Sequence, residues 1–457
     1  MRIIHTSDWH LGQYFYGKSR SNEHQQFLNW LLTQVDEHNV DALIVAGDIF
    51  DTATPPSYAR QMYFNFIREL QAFDCQLIVL AGNHDSVSML AESKTLLNVL
   101  STQVIANVTD TSDEHNLAEQ VFMLENKQGQ AQAVICAVPF IRPRDVIKSQ
   151  AGQSATDKAI SLQHAIVAHY QVLFEQAQQL VKASNSKLPI IATGHLTALG
   201  VTTSDSVRDI YIGTLEAIPS DVFPAADYIA LGHIHRAQKV GKTEHIRYCG
   251  SPIALSFDEA KQNKRVLMVD FEQDKLEAVT DLLVPCFQPL AMVKTSLAQL
   301  NNDIEQLLAE HDLLLNSEDF TTNNTKIWLD IELSNTGLLS DLQPKITALV
   351  KDYPVEVLLV RREKQARKQL RLQNQQDQNT LNELSLAEVF DSRLHQEAWF
   401  DEEQISTKTD EQTMAKTKAQ QVERKAQLQT LFKQVVSQVL SPESVSDNEN
   451  ADQEQNA

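Results

Sequence analysis

Four times in the first 235 residues, an aliphatic run stops at a glycine that is followed at once by Asp, Asn or His. Asp41-Ala-Leu-Ile-Val-Ala leads into Gly47-Asp48, and Gln76-Leu-Ile-Val-Leu-Ala into Gly82-Asn83. Leu188-Pro-Ile-Ile-Ala-Thr leads into Gly194-His195, and Tyr228-Ile-Ala-Leu into Gly232-His233. A fifth run, Ile3-Ile4, opens into Asp8-Trp9-His10. Short continuous apolar runs read as strands buried on both faces. In open α/β sheets, ligands gather beyond the carboxyl ends of such strands. Glycine there lets the backbone turn tightly against a site. A chain patterned this way is expected to fold as an α/β domain with its polar chemistry drawn to one edge.

Asp8 and His10 stand two apart, so in an extended segment their side chains leave the same face. A hard oxygen ligand beside an imidazole suits a divalent ion such as Mn²⁺, Fe²⁺ or Zn²⁺. Asp-x-His alone carries little weight, because a polar turn can hold the same residues. Its force comes from the other strand ends, which add Asp48, Asn83, His84, Asp85, His195, His233 and His235.

Helical periodicity fills the intervals at His24–Val35, Pro56–Gln71, Val87–Leu100 and Asp157–Ala183. Further strands are expected at Ala133–Phe140, Ile246–Cys249 and Val266–Phe271, and residues 109–119 read as an exposed loop. Residues 1–280 therefore read as two sheets packed face to face and flanked by helices. A smaller α+β accessory unit follows over 285–365. It has helices at Leu297–Leu315 and Leu342–Lys351, a half-buried strand at Ile327–Leu333 and another at Val355–Val360. Residues 366–440 turn Gln- and Lys-rich, as a linker does. They keep two helical islands, Leu384–Phe400 and Ala419–Leu440, whose apolar faces suit a partner or their own chain. Residues 441–457 are acidic and read as a disordered tail.

Among the 457 residues, 60 Asp and Glu oppose 39 Lys and Arg, a formal charge of −21. That balance is wrong for a protein gripping nucleic acid unaided, since phosphate contacts come from Lys and Arg. The four cysteines are widely spaced, with no Cys-x-x-Cys pair, and read as reduced core residues in a cytoplasmic protein. No run is long enough to span a membrane, and no Walker loop or Gly-x-Ser-x-Gly elbow is present.

The order Asp-x-His, Gly-Asp-x-x-Asp, Gly-Asn-His-Asp, Gly-His, Gly-His-x-His resembles the calcineurin-like metallophosphoesterases. The segments TSDWHLG, AGDIFD, AGNHD and GHIH, with the accessory unit and helical tail, are similar to the SbcD family of nuclease subunits. The resemblance covers the first two domains and reaches the tail through LSLAEVF and the last helix. It implies a metallophosphoesterase sandwich with a capping domain and two divalent ions, Mn²⁺ foremost. One ion would fall to Asp8, His10 and His235, the other to Asn83, His195 and His233, with Asp48 bridging. His84 would act in catalysis and Asp85 would orient a neighbouring imidazole. It also implies double-strand 3′→5′ exonuclease and single-strand or hairpin endonuclease activity on DNA. An SbcC-type ATPase partner and a homodimer within a heterotetramer, through the 56–71 and 87–100 helices, complete the implication.

For DNA contacts the candidates are Arg142, Arg144, Arg208 and Arg236, set against ordinary surface ion pairing. His5 is expected in the core, and His24, His38, His115, His164, His169, His245, His311 and His395 on the surface. Two alternatives remain at this level. A phosphodiesterase or phosphatase acting on another substrate would use the same site, and a scaffold without catalysis would have lost a ligand, which this sequence has not.

Overall fold

The computed structural model describes residues 1–109, 114–147, 154–207, 217–219, 222–315, 326–334 and 342–362, and seven isolated helical residues beyond them. Met1–Thr336 with Asp341–Glu363 form one compact unit; 337–340 with 364–457 form another.

The first unit opens with β1 (Arg2–Thr6), a short hairpin β2 (Tyr14–Phe15) and β3 (Lys18–Ser19), and α1 (Ser21–Glu37). Next come β4 (Ala42–Ala46), α2 (Ser57–Leu70), β5 (Gln76–Leu80), α3 (Val87–Glu92), α4 (Lys94–Asn98) and β6 (Thr102–Ile105). The chain continues through α5 (Glu114–Leu117), β7 (Val121–Glu125), β8 (Ala131–Cys136), α6 (Pro143–Val146) and α7 (Ala155–Ala183). β9 (Ile190–His195), β10 (Tyr228–Gly232), β11 (Gln238–Lys239), β12 (Ile246–Tyr248), β13 (Arg265–Glu272) and β14 (Lys275–Leu283) follow.

Two six-stranded sheets result, ordered β14-β13-β1-β4-β5-β6 and β11-β12-β10-β9-β8-β7. Their central strands run parallel, pairing β1 with β4, β4 with β5, and β9 with β10. Ala42–Ala46 is buried throughout because both its faces are covered. The inner faces meet through Ile44, Ile78, Leu80, Ile135, Ile191 and Ala230. The outer face of the first sheet takes Phe27, Leu31 and Val35 of α1 with Phe66 and Leu70 of α2, and that of the second takes Ile166, Tyr170 and Leu173 of α7. Ser154 starts α7 with a reciprocal cap, its Oγ accepting the Asp157 N–H at 3.1 Å.

The accessory part holds β15 (Leu290–Thr295), α8 (Leu300–Leu315), β16 (Ile327–Leu333), α9 (Leu342–Val350) and β17 (Val355–Arg362), its three strands parallel in the order β15-β16-β17. Ile327–Leu333 is not half-buried as its alternation suggests. It is the central strand, and even Asp330 is 1% exposed, held by Arg361 Nε at 3.0 Å. The β2–β3 hairpin seats this sheet: Phe15 stacks on Trp328 at 5.8 Å, and Lys18 pairs with Glu356 at 2.5 Å.

Other expectations are also corrected. The single helix over 87–100 is two helices meeting at Ser93, a residue whose side chain competes with helical hydrogen bonding. The strand expected to reach Phe140 stops at Cys136. His24 and His169 are buried rather than on the surface, and Cys286 is exposed rather than core. The islands 384–400 and 419–440 lie almost wholly outside the described residues. Within them, Phe390 stacks on Phe432 at 4.0 Å.

Candidate metal centre

The carboxyl ends of β1, β4, β5, β9 and β10 meet at one edge of the sandwich. Asp8 N–H donates to the Gly47 carbonyl at 2.9 Å, and His10 N–H to the Asp48 carbonyl at 3.1 Å, so the first two loops run side by side. His84 N–H donates to Asp48 Oδ1 at 2.9 Å, which draws in the third. The second sheet joins through His233, whose N–H donates to Asp8 Oδ1 at 2.9 Å, and through His195, whose Nδ1 lies 2.9 Å from the Ala46 carbonyl. Gly47 has φ +95°, and a Cβ there would strike the His195 ring. Gly47→Ala is therefore expected to displace His195 and weaken ion binding. It should also cost about 1–3 kcal/mol in stability, read by metal titration and by the denaturant midpoint.

Two donor groups face each other across this edge. Asp8, His10 and His235 bring their ligand atoms within 4.8 Å of one another, and so do Asp48, His195 and His233. Asn83 Oδ1 joins the second group, 3.0 Å from His195 Nε2 and 3.1 Å from His233 Nδ1. His10, Asp48 and His84 form a third set at the same spacing. Asp8, His10, Asp48 and His233 all have left-handed backbones, with φ of +53°, +47°, +51° and +90°. The extended Asp8-x-His10 segment expected from sequence is thus replaced by a turn. Strain of this kind persists only where surrounding structure over-determines it.

The donor chemistry fits divalent ions. His10 Nε2 and His233 Nε2 are buried without a hydrogen-bond partner, a cost that a bound cation removes. Burial raises the Asp48 carboxyl, but His195, His84 and His10 outweigh it and hold it well below the usual carboxylate range. Burial lowers His195, yet Asp48 and then Asp8 carry it up to about 9. Carboxylates packed this tightly demand positive charge, which imidazoles supply only by protonation and a divalent ion supplies outright.

Asp85 lies where the Asp48 and Asn83 loops meet. Its carboxylate accepts the N–H groups of Ile49, Phe50 and Gly82 at 3.1, 3.0 and 2.8 Å, fastening the Asp48 loop to the Asn83 loop. Burial and then Asp48 push it up to about 6 against those bonds. His84 is set by the Asp51 carbonyl, 2.7 Å from its Nδ1. Asp51, the second acid of Gly-Asp-x-x-Asp, to which the sequence reading gives no role, also places its carboxylate 3.3 Å from His10 Nδ1. The four arginines part company. Arg142 donates to the Asp85 carbonyl at 3.0 Å, with its guanidinium 5.6 Å from the Phe140 ring centre. Arg144 and Arg236 are exposed, and Arg208 lies outside the described residues.

A two-sheet sandwich with Asp, Asn and His gathered at its strand ends defines a metal-dependent phosphoesterase. The family model described as calcineurin-like phosphoesterase matches residues 1–237, and the type 5 capsule protein repressor C-terminal domain matches 286–398. The chain is 50% identical over 394 residues to the SbcD chain of the SbcCD nuclease from Escherichia coli K12, covering 86% of this chain and 92% of that one. Identity is 31% to the corresponding SbcCD nuclease chain of Rhodobacter capsulatus, over 69% of this chain and 76% of that one. It is 29% to that of Bacillus subtilis, over 74% and 81%. The chain belongs to the SbcD family of metal-dependent nucleases, within the calcineurin-like phosphoesterases. No described helix is long and apolar enough to cross a membrane.

Proposed function

We propose that this chain is the DNA-cleaving subunit of a complex with an SbcC-type ATPase, and that it hydrolyses phosphodiesters at DNA ends and hairpins. The carrying observation is the pair of donor groups, Asp8, His10 and His235 facing Asn83, His195 and His233, with Asp48 reaching both. They would hold two divalent ions, Mn²⁺ by preference, since oxygen and imidazole donors suit it. When bound, such a pair supplies Lewis acidity to the phosphate and lowers the pKa of water. Asn83 contributes a neutral oxygen, which limits the negative charge opposing a phosphate. The Asp51 backbone carbonyl accepts from His84 Nδ1, so it is as the doubly protonated imidazolium that His84 would give its Nε2 proton to the leaving oxygen. Asp85 serves by holding the two ligand loops in register.

Arg142 is the DNA contact that the geometry favours, because its guanidinium is pre-positioned by the Asp85 carbonyl and the Phe140 ring. Arg142→Ala is expected to weaken DNA binding and to reduce the salt slope by about one. A Lys→Ala control far from the site should leave the slope alone; equal, small effects would return Arg142 to a structural role. The net charge of −21 fits a subunit that shares its DNA grip with a partner. Residues 285–365 would form the capping domain, and 384–400 with 419–440 the partner-docking helices. Dimerisation through 56–71 and 87–100, and a cytoplasmic location, complete the reading.

The test is cleavage of a hairpin-capped duplex and of bis-p-nitrophenyl phosphate by the purified chain with Mn²⁺. DNA cleavage supports the nuclease reading. Turnover of the small ester alone, unchanged when the ATPase subunit is added, would favour a phosphodiesterase with another substrate.

A further inference from the structure

Behind His235 lies a buried polar cluster that no ligand assignment uses. Glu259, at the end of the 3₁₀ turn Phe257–Glu259 before β13, is 0% exposed. Its Oε1 accepts from Ser204 Oγ at 2.7 Å, Ser206 Oγ at 2.5 Å and Ser256 Oγ at 3.1 Å. Its Oε2 accepts from Leu255 N–H at 3.1 Å, Ser251 Oγ at 3.4 Å and Lys264 Nζ at 2.5 Å. Lys264 also donates to Ser251 Oγ at 2.9 Å and to the His235 carbonyl at 3.1 Å. Ser206 Oγ completes the chain, 2.6 Å from His235 Nδ1.

Proton counting gives this chain a direction. A carboxylate paired with Lys264 has no proton to donate, so Ser206 gives its single proton to Glu259. The serine oxygen can then only accept from His235, which places the imidazole proton on Nδ1. The lone pair is left on Nε2, the nitrogen free to bind an ion. We propose that Ser206 and Glu259 are positioning residues that hold His235 in its metal-binding tautomer, and that they tie the segment 201–207 after β9 to the ion shared by Asp8 and His10. Ligating imidazoles commonly need such a partner, and losing it typically costs 10–100-fold in metal affinity. The proposal rests on the ligand reading above.

Glu259→Gln reverses the chain. A glutamine that donates to Ser206 turns the serine proton toward His235 Nδ1, and the imidazole proton moves to Nε2, where it blocks the ion. Ser206→Ala removes the constraint, while Ser206→Thr keeps the hydroxyl. Mn²⁺ titrations of the metal-free full chain, followed by the electron paramagnetic resonance of free Mn²⁺, read the two sites separately from activity. We expect two ions on the parent. In Ser206→Ala and Glu259→Gln one of them should bind about 10–100-fold more weakly while the other is unchanged, with parent-like binding in Ser206→Thr. His235→Ala is the reference for that same site. If His235→Ala loses one ion but Ser206→Ala and Glu259→Gln bind both as the parent does, the positioning proposal is overturned. If His235→Ala itself leaves both ions in place, the ligand reading fails instead. Should Glu259→Gln not fold, the contrast of Ser206→Ala with Ser206→Thr decides alone, and equal affinity in those two overturns the proposal.

Discussion

Asp48→Ala is expected to abolish phosphodiester cleavage, by about 10³-fold or more in kcat, and to remove the ability to bind two ions. Asp48 reaches an imidazole nitrogen in each half of the centre: Oδ2 lies 3.2 Å from His195 Nε2 and 3.6 Å from His10 Nε2. Its Oδ1 accepts the His84 N–H at 2.9 Å, so the substitution also loosens the loop that carries Asn83 and His84. A pair of ions supplies several kcal/mol of charge stabilisation to the transition state. Losing a single fixed electrostatic contact already costs about 10²–10³-fold. Cleavage of the hairpin duplex and the stoichiometry of bound Mn²⁺ should therefore fall together. Retention of a tenth of the turnover would mean that Asp48 does not bridge. Far-UV circular dichroism should be unchanged, because the flanking strand Ala42–Ala46 is buried by its own packing.

His84→Gln should separate binding from chemistry. His84 lies outside the two ligand groups but beside them, its ring centre 4.7 Å from that of His10, and its Nδ1 is engaged by the Asp51 carbonyl. The variant is expected to bind both ions with near-parent affinity and to lose about 10²–10⁴-fold in kcat on DNA, the range for a positioned proton donor. A phosphodiester with an acidic leaving group needs no proton from the enzyme. On bis-p-nitrophenyl phosphate the loss should accordingly be much smaller. An equal loss on both substrates would make His84 a stabiliser of phosphate charge rather than an acid. Unchanged turnover on DNA would remove it from the reaction.

Much of the site is legible in the sequence because strand ends are local features. Ala42–Ala46 and Tyr228–Gly232 announce themselves as buried strands by composition, and the polar residue after each glycine can only sit in the following loop. Residues whose role depends on a distant partner are not legible. Glu259 lies in a charged surface-like stretch, and nothing in Asp-Glu-Ala-Lys suggests full burial; it is buried because three serines from 204–206 and 256 converge on one of its oxygens. The role of Asp85 is hidden for a related reason. The backbone amides it caps belong in part to residues 49 and 50, more than thirty positions away. His24 reads as a surface residue of an amphipathic helix, but α1 packs it behind the loop of Trp9 and His10.

The sequence by itself determined the class of fold, the edge at which the chemistry gathers and the candidate donors there, because hydrophobic period and glycine placement act over a few residues. The tertiary structure alone decided the turns at Asp8, His10, Asp48 and His233, whose left-handed backbones no local pattern predicts. It also decided which groups orient the imidazoles. Hydrogen-bond partners are chosen by proximity in space, and proximity here is set by packing two sheets against each other.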